Sequence, residues 1–516
     1  MEARGKIVVV GAGPVGALAA LYAARRGFEV ELYELRGDPN HSDPSLRPDI
    51  AVIPLALSER GIQAISGAGV PGLLDDILAD SRDIYTRMIH TFDSKGKPKL
   101  IPMTYGPNGE CLHTLQRDKI TKYCLLALEK EPTAKLFFNQ KMTRCDFDNK
   151  VVTFEAVQWM QKSRTSEQNL ADDVVGNKPK PVAKPAEEYG NSPTIPIPQE
   201  ETVKEVRFEF LIGTDGTYSS VRQAMMRKIE VDFSQVYCNA LWCDLIIPAD
   251  KSGEYRMNSQ CLHVWPADEN IVMAQPDFNG SFRAGMVCAT DTVRYYEEHP
   301  YEFATWFKKE FAGIVPDLLS EQELTNQFIA HQKIPLKSIK LSKLGYKDNA
   351  VLLGDSSHTM TPFHAMGMIT GLEDVRIFFQ TFRDPAVAQL EFRPGSDKKL
   401  PPFCPAGTVA AYTKYRLPDV HTMVDLAHEH YNELRHGVRS PVSRARKVFD
   451  AALGRYLPLL DWTTMYARIQ FGNDRFSDVV RKEKKQEMIV RGGIYTTAAV
   501  AVGTAIATLG RSVIVS

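Results

Sequence analysis

The apolar run Lys6–Val10 (KIVVV) leads directly into Gly11-Ala12-Gly13-Pro14-Val15-Gly16 and then into ALAALYAARRG, and no other feature constrains the fold as much. The order reads as strand, tight turn and helix, followed by a second strand over Glu29–Tyr33. Each glycine has a reason. The first permits the turn, the second lets backbone approach a pyrophosphate, and the third lets helix and strand pack closely. The start of such a helix presents unpaired N–H groups and a positive dipole end to phosphates. Glu34, about twenty residues on, stands where a carboxylate can accept hydrogen bonds from ribose hydroxyls. The pattern implies a bound dinucleotide but does not separate FAD from NAD.

With 516 residues the chain has room for two to four domains. A net charge of -1 argues against nucleic acid as a partner. The eight cysteines are dispersed without a CxxC pair, so neither a zinc ribbon nor a disulfide framework is indicated, and a reducing compartment suits them. His428-Glu429-His430 has no third ligand at a convincing spacing, so no metal site is expected. Residues 160–205 are rich in Pro, Lys, Glu and Ser and read as a disordered insertion between two strands. Residues 235–295 carry short β-like runs broken by Gly, Asn and Asp, as an antiparallel sheet does. Residues 405–480 read as mainly helical, punctuated by Pro418 and Pro441.

Two further segments narrow the cofactor. Leu211-Ile212-Gly213-Thr214-Asp215-Gly216 and Val351-Leu352-Leu353-Gly354-Asp355 are apolar strands ending in Gly and Asp, and the second leads to Gly367-Met368, Gly371 and Glu373-Asp374. Taken singly, each Asp could simply cap the next element. Taken with the first motif, their order and spacing resemble the flavoprotein aromatic hydroxylases. The resemblance sharpens to the kynurenine 3-monooxygenase family through YELRGD (33–38), LALSERG (55–61), RMIH (87–90), HVWP (263–266), LLGDSSHTMTPF (352–363) and HYNELRHGV (430–438).

The resemblance implies an α/β fold. A Rossmann-type, glutathione reductase-like FAD-binding domain is expected over 1–80, 108–225 and 345–385. An antiparallel substrate sheet is expected over 81–107 and 226–344, followed by the helical region 405–480 and a transmembrane helix over 492–510. It implies a monooxygenase in which NADPH reduces FAD, O2 adds as a flavin C4a-hydroperoxide, and one oxygen passes to the ring of a small aromatic acid. A single dinucleotide motif agrees with NADPH having no Rossmann domain of its own. By the same resemblance Gly11, Gly13, Gly16 and Glu34 hold the ADP half of FAD, with Arg36 and Arg117 near it. Asp355 would meet the ribityl chain, and Gly367 with Met368 the isoalloxazine. Arg87, Tyr105 and Tyr431 would grip the substrate carboxylate, and His263 and Trp265 would form a pocket wall. Arg36 and Arg117 also read as surface charges, and Tyr105, Tyr431 and Trp265 as packing residues.

The chain departs from the family's loop pattern, roughly PFFGQGMNAGFED. Here Ala365 replaces a Gly, Met366 a Gln and Ile369 an Asn, while Pro54 replaces another Asn in the segment before Leu55. These losses suggest a divergent paralogue, acting on kynurenine or a related tryptophan-derived aryl acid. Two alternatives are an NAD-dependent dehydrogenase and a non-hydroxylating, membrane-tethered flavoprotein. The tail Gly492–Leu509 is uncharged and follows the basic segment Arg481–Arg491. As a helix it spans about 27 Å against a bilayer core of ~30 Å, which is the pattern of a tail anchor. The resemblance places that anchor in the mitochondrial outer membrane, with the catalytic body facing the cytosol.

Overall fold

The structure is a computed structural model that describes residues 5–41, 55–105, 109–161, 194–391, 402–436 and 462–490. The chain divides into two units, Met1–Ser440 and Pro441–Ser516.

At the heart of the first unit Lys6–Val10 lies in a six-stranded sheet, between Phe210–Gly213 and Glu29–Tyr33. The outer strands are Ala350–Leu352 and Gly345–Tyr346 on one side and Ala134–Phe137 on the other. All neighbours run parallel except the edge hairpin 345–352. Ile7, Val8 and Val9 are completely buried, as a strand covered on both faces demands. Segments from Lys6–Val10 to Ala350–Leu352 thus assemble one α/β layer, the expected class.

The second sheet has seven strands, in the order Lys333–Leu341, Phe233–Ile247, Phe282–Ala289, Asn270–Pro276, Cys261–Ala267, Thr86–Phe92 and Pro98–Thr104. It is not purely antiparallel. Cys261–Val264 pairs parallel with Thr86–Ile89, because a strand from the early chain enters beside one from mid-chain. One face packs on Phe303, Phe307, Phe311 and Phe328; the other carries Ile89, Trp242, Val264, Met273 and Tyr431.

Two expectations about irregular segments need correction. Thr194–Arg207 is a strand pairing antiparallel with Val151–Gln161, so the insertion does not extend to residue 205; residues 162–193 lie outside the described residues. Pro196 and Pro198 do not prevent pairing, because among the described residues this strand is at the edge of its three-stranded sheet and has no second neighbour to supply. Nor does Pro418 end a helix: Thr408–His436 continues through it. The missing N–H is outweighed by tertiary contacts, since Arg416, Asp419, Val420, Met423 and Val424 are all buried.

In the second unit the helix Met465–Phe471 starts at Thr464, whose hydroxyl accepts the Ala467 N–H, and residues 476–490 are helical. Among the described residues no helix is long and apolar enough to cross a membrane. The expected anchor at 492–510 lies outside them.

The seven-stranded sheet is packed tightly enough to test. A Cβ at Gly285 would stand 1.9 Å from Cζ2 of the buried Trp242. Gly285→Ala is therefore expected to cost roughly 1–3 kcal/mol, read as a lowered midpoint in thermal unfolding.

Candidate functional site

The first strand ends in a turn that only glycine satisfies. Gly11 has φ +98° and donates its N–H to Tyr33 O at 2.7 Å, and a Cβ there would lie 2.5 Å from Thr214 O. At Gly16 a Cβ would stand 1.8 Å from Gly11 O, so the helix Pro14–Ala24 meets the strand backbone directly. Gly13 differs: its missing Cβ faces open space within 4 Å. No side chain caps this helix and no acidic residue occupies its first turn, so its leading N–H groups point into that space. A diphosphate fits this cradle.

Glu34 closes one side. One carboxylate oxygen accepts the Ala12 N–H at 2.6 Å and the other the Arg36 N–H at 3.0 Å. Both oxygens keep lone pairs for ribose hydroxyls. The Arg36 side chain is exposed. Arg117 begins the helix Arg117–Glu129, and its side chain lies outside the described residues.

The Gly-Asp segments close around this loop. Thr214 Oγ1 lies 2.9 Å from both Val10 O and Gly11 O, and Leu353 N–H and Ser356 Oγ both reach Gly213 O. The buried Arg222 guanidinium donates to Ser356 O at 2.9 Å and Thr217 O at 2.6 Å; burial lowers its pKa. Asp215 acts as a cap, accepting N–H groups of Ser220 and Val221 at the start of Ser220–Met226. Burial pushes its carboxyl above the usual range, against these hydrogen bonds. Asp355 is different. On the turn Gly354–Ser356, its half-exposed carboxylate makes no hydrogen bond or ion pair with the described residues.

The segment after Asp355 turns at Ala365, whose φ of +56° is left-handed and costs a non-glycine residue about 1 kcal/mol. The helix Gly367–Arg376 follows, and a Cβ at its Gly371 would meet Val15 Cγ2 at 2.7 Å and Gly354 Cα at 3.0 Å. First loop, second Gly-Asp turn and this helix therefore touch through glycines. Met366 and Ile369 are completely buried, and Ile369 reaches the helix Glu59–Ser66 beside Gly61. Of the two residues replacing amides, Ile369 thus packs between helices and Met366 is buried at the helix start. Pro54 lies outside the described residues.

Sequence reading missed what holds this helix in place. Asp374 accepts Gly354 N–H at 2.9 Å, His358 Nε2–H at 2.6 Å and Arg416 Nε–H at 2.8 Å. Glu373 pairs with Arg60 at 2.7 Å and Arg416 at 2.8 Å. All five side chains are at most 2% exposed. Burial would raise both carboxyls. The Arg416 and Arg60 charges bring Glu373 below its ordinary value, and His358 with Arg416 do the same for Asp374. Glu373-Asp374 was visible in the sequence, but nothing local marks partners more than 300 residues away for Arg60 and 42 for Arg416.

On the seven-stranded sheet Arg87 and Tyr105 come together. Both are buried, and the guanidinium carbon lies 5.9 Å from the Tyr105 ring centroid. Strand alternation puts Arg87 on the face of Ile89, the face that carries Tyr431. Tyr431 stacks on Phe363 at 4.1 Å and 15°, and its hydroxyl donates to Glu269 O at 3.3 Å. His263 and Trp265 do not join this face as expected. Trp265 belongs to the opposite cluster and donates its indole N–H to Ala312 O. His263 accepts from His90, which stacks on Trp265 and is lowered to about 3 by burial. The strand phase of Cys261–Ala267 decides this, and sequence alone does not fix which face is which.

A family profile described as an FAD binding domain matches residues 175–382, and one described as an NAD(P)-binding Rossmann-like domain matches 9–44. Kynurenine 3-monooxygenase of Aspergillus fumigatus is 36% identical over 500 residues, covering 96% of this chain and 90% of that protein. The same enzyme of Phaeosphaeria nodorum is 34% identical, covering 98% and 94%. Among solved structures, P. aeruginosa PqsL in complex with 2-aminobenzoylacetate superposes with a TM-score of 0.55 at 15% identity, covering 84% of this chain and 97% of that one. Tetrameric 2-methyl-3-hydroxypyridine-5-carboxylic acid oxygenase gives 0.57 at 16%, covering 89% and 98%. At such identities the two structures speak for the fold alone.

The ion cluster gives a prediction with a defined pH sense. Because both carboxyls are held down in the folded protein, their ion pairs contribute stability above the unfolded carboxylate range near pH 4, and lose it as pH falls through the lowered folded values. Arg416→Met is expected to cost about 3–5 kcal/mol near pH 7 by leaving buried carboxylates unpaired. Denaturant unfolding at a series of pH values should show the gap from the parent protein narrowing toward pH 3.

Proposed function

The chain belongs to the kynurenine 3-monooxygenase family and is an FAD-dependent aromatic monooxygenase that uses NADPH; we propose that its substrate is an aryl acid of the kynurenine class, held by its carboxylate on Arg87. With the family established, the dehydrogenase alternative falls. The observation that carries the substrate reading is the buried Arg87–Tyr105 pair on the sheet face shared with Tyr431 and Phe363. A buried guanidinium facing apolar and aromatic side chains suits an aromatic acid: the cation meets the carboxylate, and the rings meet the ring.

Gly11, Gly13 and Gly16 shape the cradle for the FAD diphosphate, and the start of Pro14–Ala24 supplies its N–H donors. Glu34 takes the ribose hydroxyls, and Asp355, with its uncommitted carboxylate, a ribityl hydroxyl. Arg36 lies at the rim beside Glu34, and Arg117 opens the helix that follows Leu112–Leu115. Gly367 and Met368 border the ring, at the end of a helix fixed by Glu373 and Asp374. When bound, FAD supplies the two-electron redox chemistry and O2 activation that no side chain here can provide. The protein's part is to orient the substrate ring and exclude water, through Arg87, Tyr105, Tyr431 and the apolar cluster around Phe363.

Met366 and Ile369 make the helix start more apolar than the family pattern, and their complete burial favours a substrate whose polar anchor is the carboxylate. NADPH oxidation and product formation with kynurenine and related tryptophan-derived aryl acids test the assignment. Arg87→Met should raise KM for a carboxylate substrate about 30- to 100-fold, the loss of one charged hydrogen-bonded pair, and leave KM for the matching carboxamide nearly unchanged. Equal effects on acid and amide would remove Arg87 from the role. NADPH oxidation unresponsive to every aryl acid would favour the non-hydroxylating alternative.

For location, we propose a tail anchor in the mitochondrial outer membrane with the catalytic body in the cytosol. The support is the uncharged stretch Gly492–Leu509 behind the basic segment Arg481–Arg491. The full chain should stay with mitochondrial membranes through alkaline carbonate extraction, whereas a chain ending at residue 490 should be released.

A further inference from the structure

Antiparallel pairing of Arg82–Ile84 with Leu112–Leu115 sets Asp83 directly opposite His113. Cys111 precedes His113 by two residues, the spacing that returns a side chain to the same face in extended chain. As a result Asp83, Cys111 and His113 hold a carboxylate oxygen, a thiol sulfur and an imidazole nitrogen within 4.8 Å of one another. His113 Nδ1 and Asp83 Oδ1 are 2.7 Å apart, and Tyr85 places its hydroxyl 3.5 Å from Asp83 Oδ2. The side chains of His113 and Asp83 are 23% and 45% exposed, and Cys111 is half-buried, so the group is open to solvent on one side.

We propose that Asp83, Cys111 and His113 form a binding site for a zinc-class divalent cation. The donor set is the main argument. One thiolate, one imidazole and one carboxylate suit Zn2+ far better than Mg2+ or Ca2+, which take oxygen ligands. The geometry is the second. Bonds of roughly 2.0–2.3 Å to a tetrahedral Zn2+ place ligand atoms about 3–4 Å apart, which small side-chain rotations reach from the present separation. On binding, His113 carries its proton on Nε2, so that Nδ1 and the Asp83 carboxylate are both free to meet the cation, and the Cys111 thiol gives its proton to solvent. Water completes the fourth position. Sequence spacing hid the site, because Asp83 lies 28 residues before Cys111 and only the strand pairing joins them. None of its three residues belongs to the cofactor cradle or the Arg87–Tyr105 pair, although Asp83 is four residues before Arg87 and His113 four before Arg117.

The test uses the FAD-loaded full chain, titrated with ZnCl2 by calorimetry in a non-coordinating buffer. One Zn2+ per chain is expected, and Cys111→Ser and His113→Asn should each weaken binding at least tenfold, with an unchanged flavin spectrum confirming the fold. A second readout is thiol alkylation. Cys111 and Cys238 are the two cysteines not fully buried, so peptide mass spectrometry after iodoacetamide should show Zn2+ protecting Cys111 while Cys238 reacts as before. Absence of binding overturns the proposal. So does unchanged affinity in both variants, as the exposed group Asp38, His41 and Glu129 would give, or a Cys111 that is alkylated equally fast with Zn2+ present.

Discussion

The carboxylate of Asp374 is the point on which the cofactor-binding half of the molecule turns. It reaches back to the Gly354 N–H, sideways to His358 and across to Arg416 on the long C-terminal helix. Glu373 extends the same cluster to Arg60, so segments that meet nowhere in sequence share one set of buried charges. Such a cluster adds little net stability over apolar packing, but any single loss from it is expensive. Its value is geometric. It fixes the glycine contacts among Val15, Gly354 and Gly371, where no side chain could fill a gap left by a shifted helix.

How much of this could be read in advance depended on range. The opening loop was legible because strand, turn, helix and Glu34 all lie within thirty residues and each obeys a local rule. The two Gly-Asp turns were legible only as a set with it. The ion cluster was not legible, since Arg60 and Arg416 look like any other arginines until the chain folds. Thr194–Arg207 was misread because its composition is that of a loop, while its structure comes from the partner strand Val151–Gln161.

On the substrate side the difficulty was phase. Arg87, Tyr105 and Tyr431 were named from motifs, and Arg87 and Tyr105 do meet. His263 and Trp265 came from an equally clear motif but face the opposite cluster. A period of two residues separates faces sharply yet leaves open which face meets Thr408–His436, and only the packing of that helix's Tyr431 against Phe363 decides it. The replacements at Met366 and Ile369 carry the same lesson. Their burial, and the approach of Ile369 to the helix Glu59–Ser66, follow from the folded packing and are not marked in the local sequence.

The parallel pairing of Thr86–Ile89 with Cys261–Val264 has a consequence for how the protein is made. Arg87 finds its neighbour Leu262 only after 175 further residues have been synthesised. Until then the strand that carries Arg87 has only its hairpin partner Pro98–Thr104, and it waits as an unfinished edge while the ribosome completes the rest. The face that carries Arg87 is accordingly completed late, only once the mid-chain strand Cys261–Ala267 has been made.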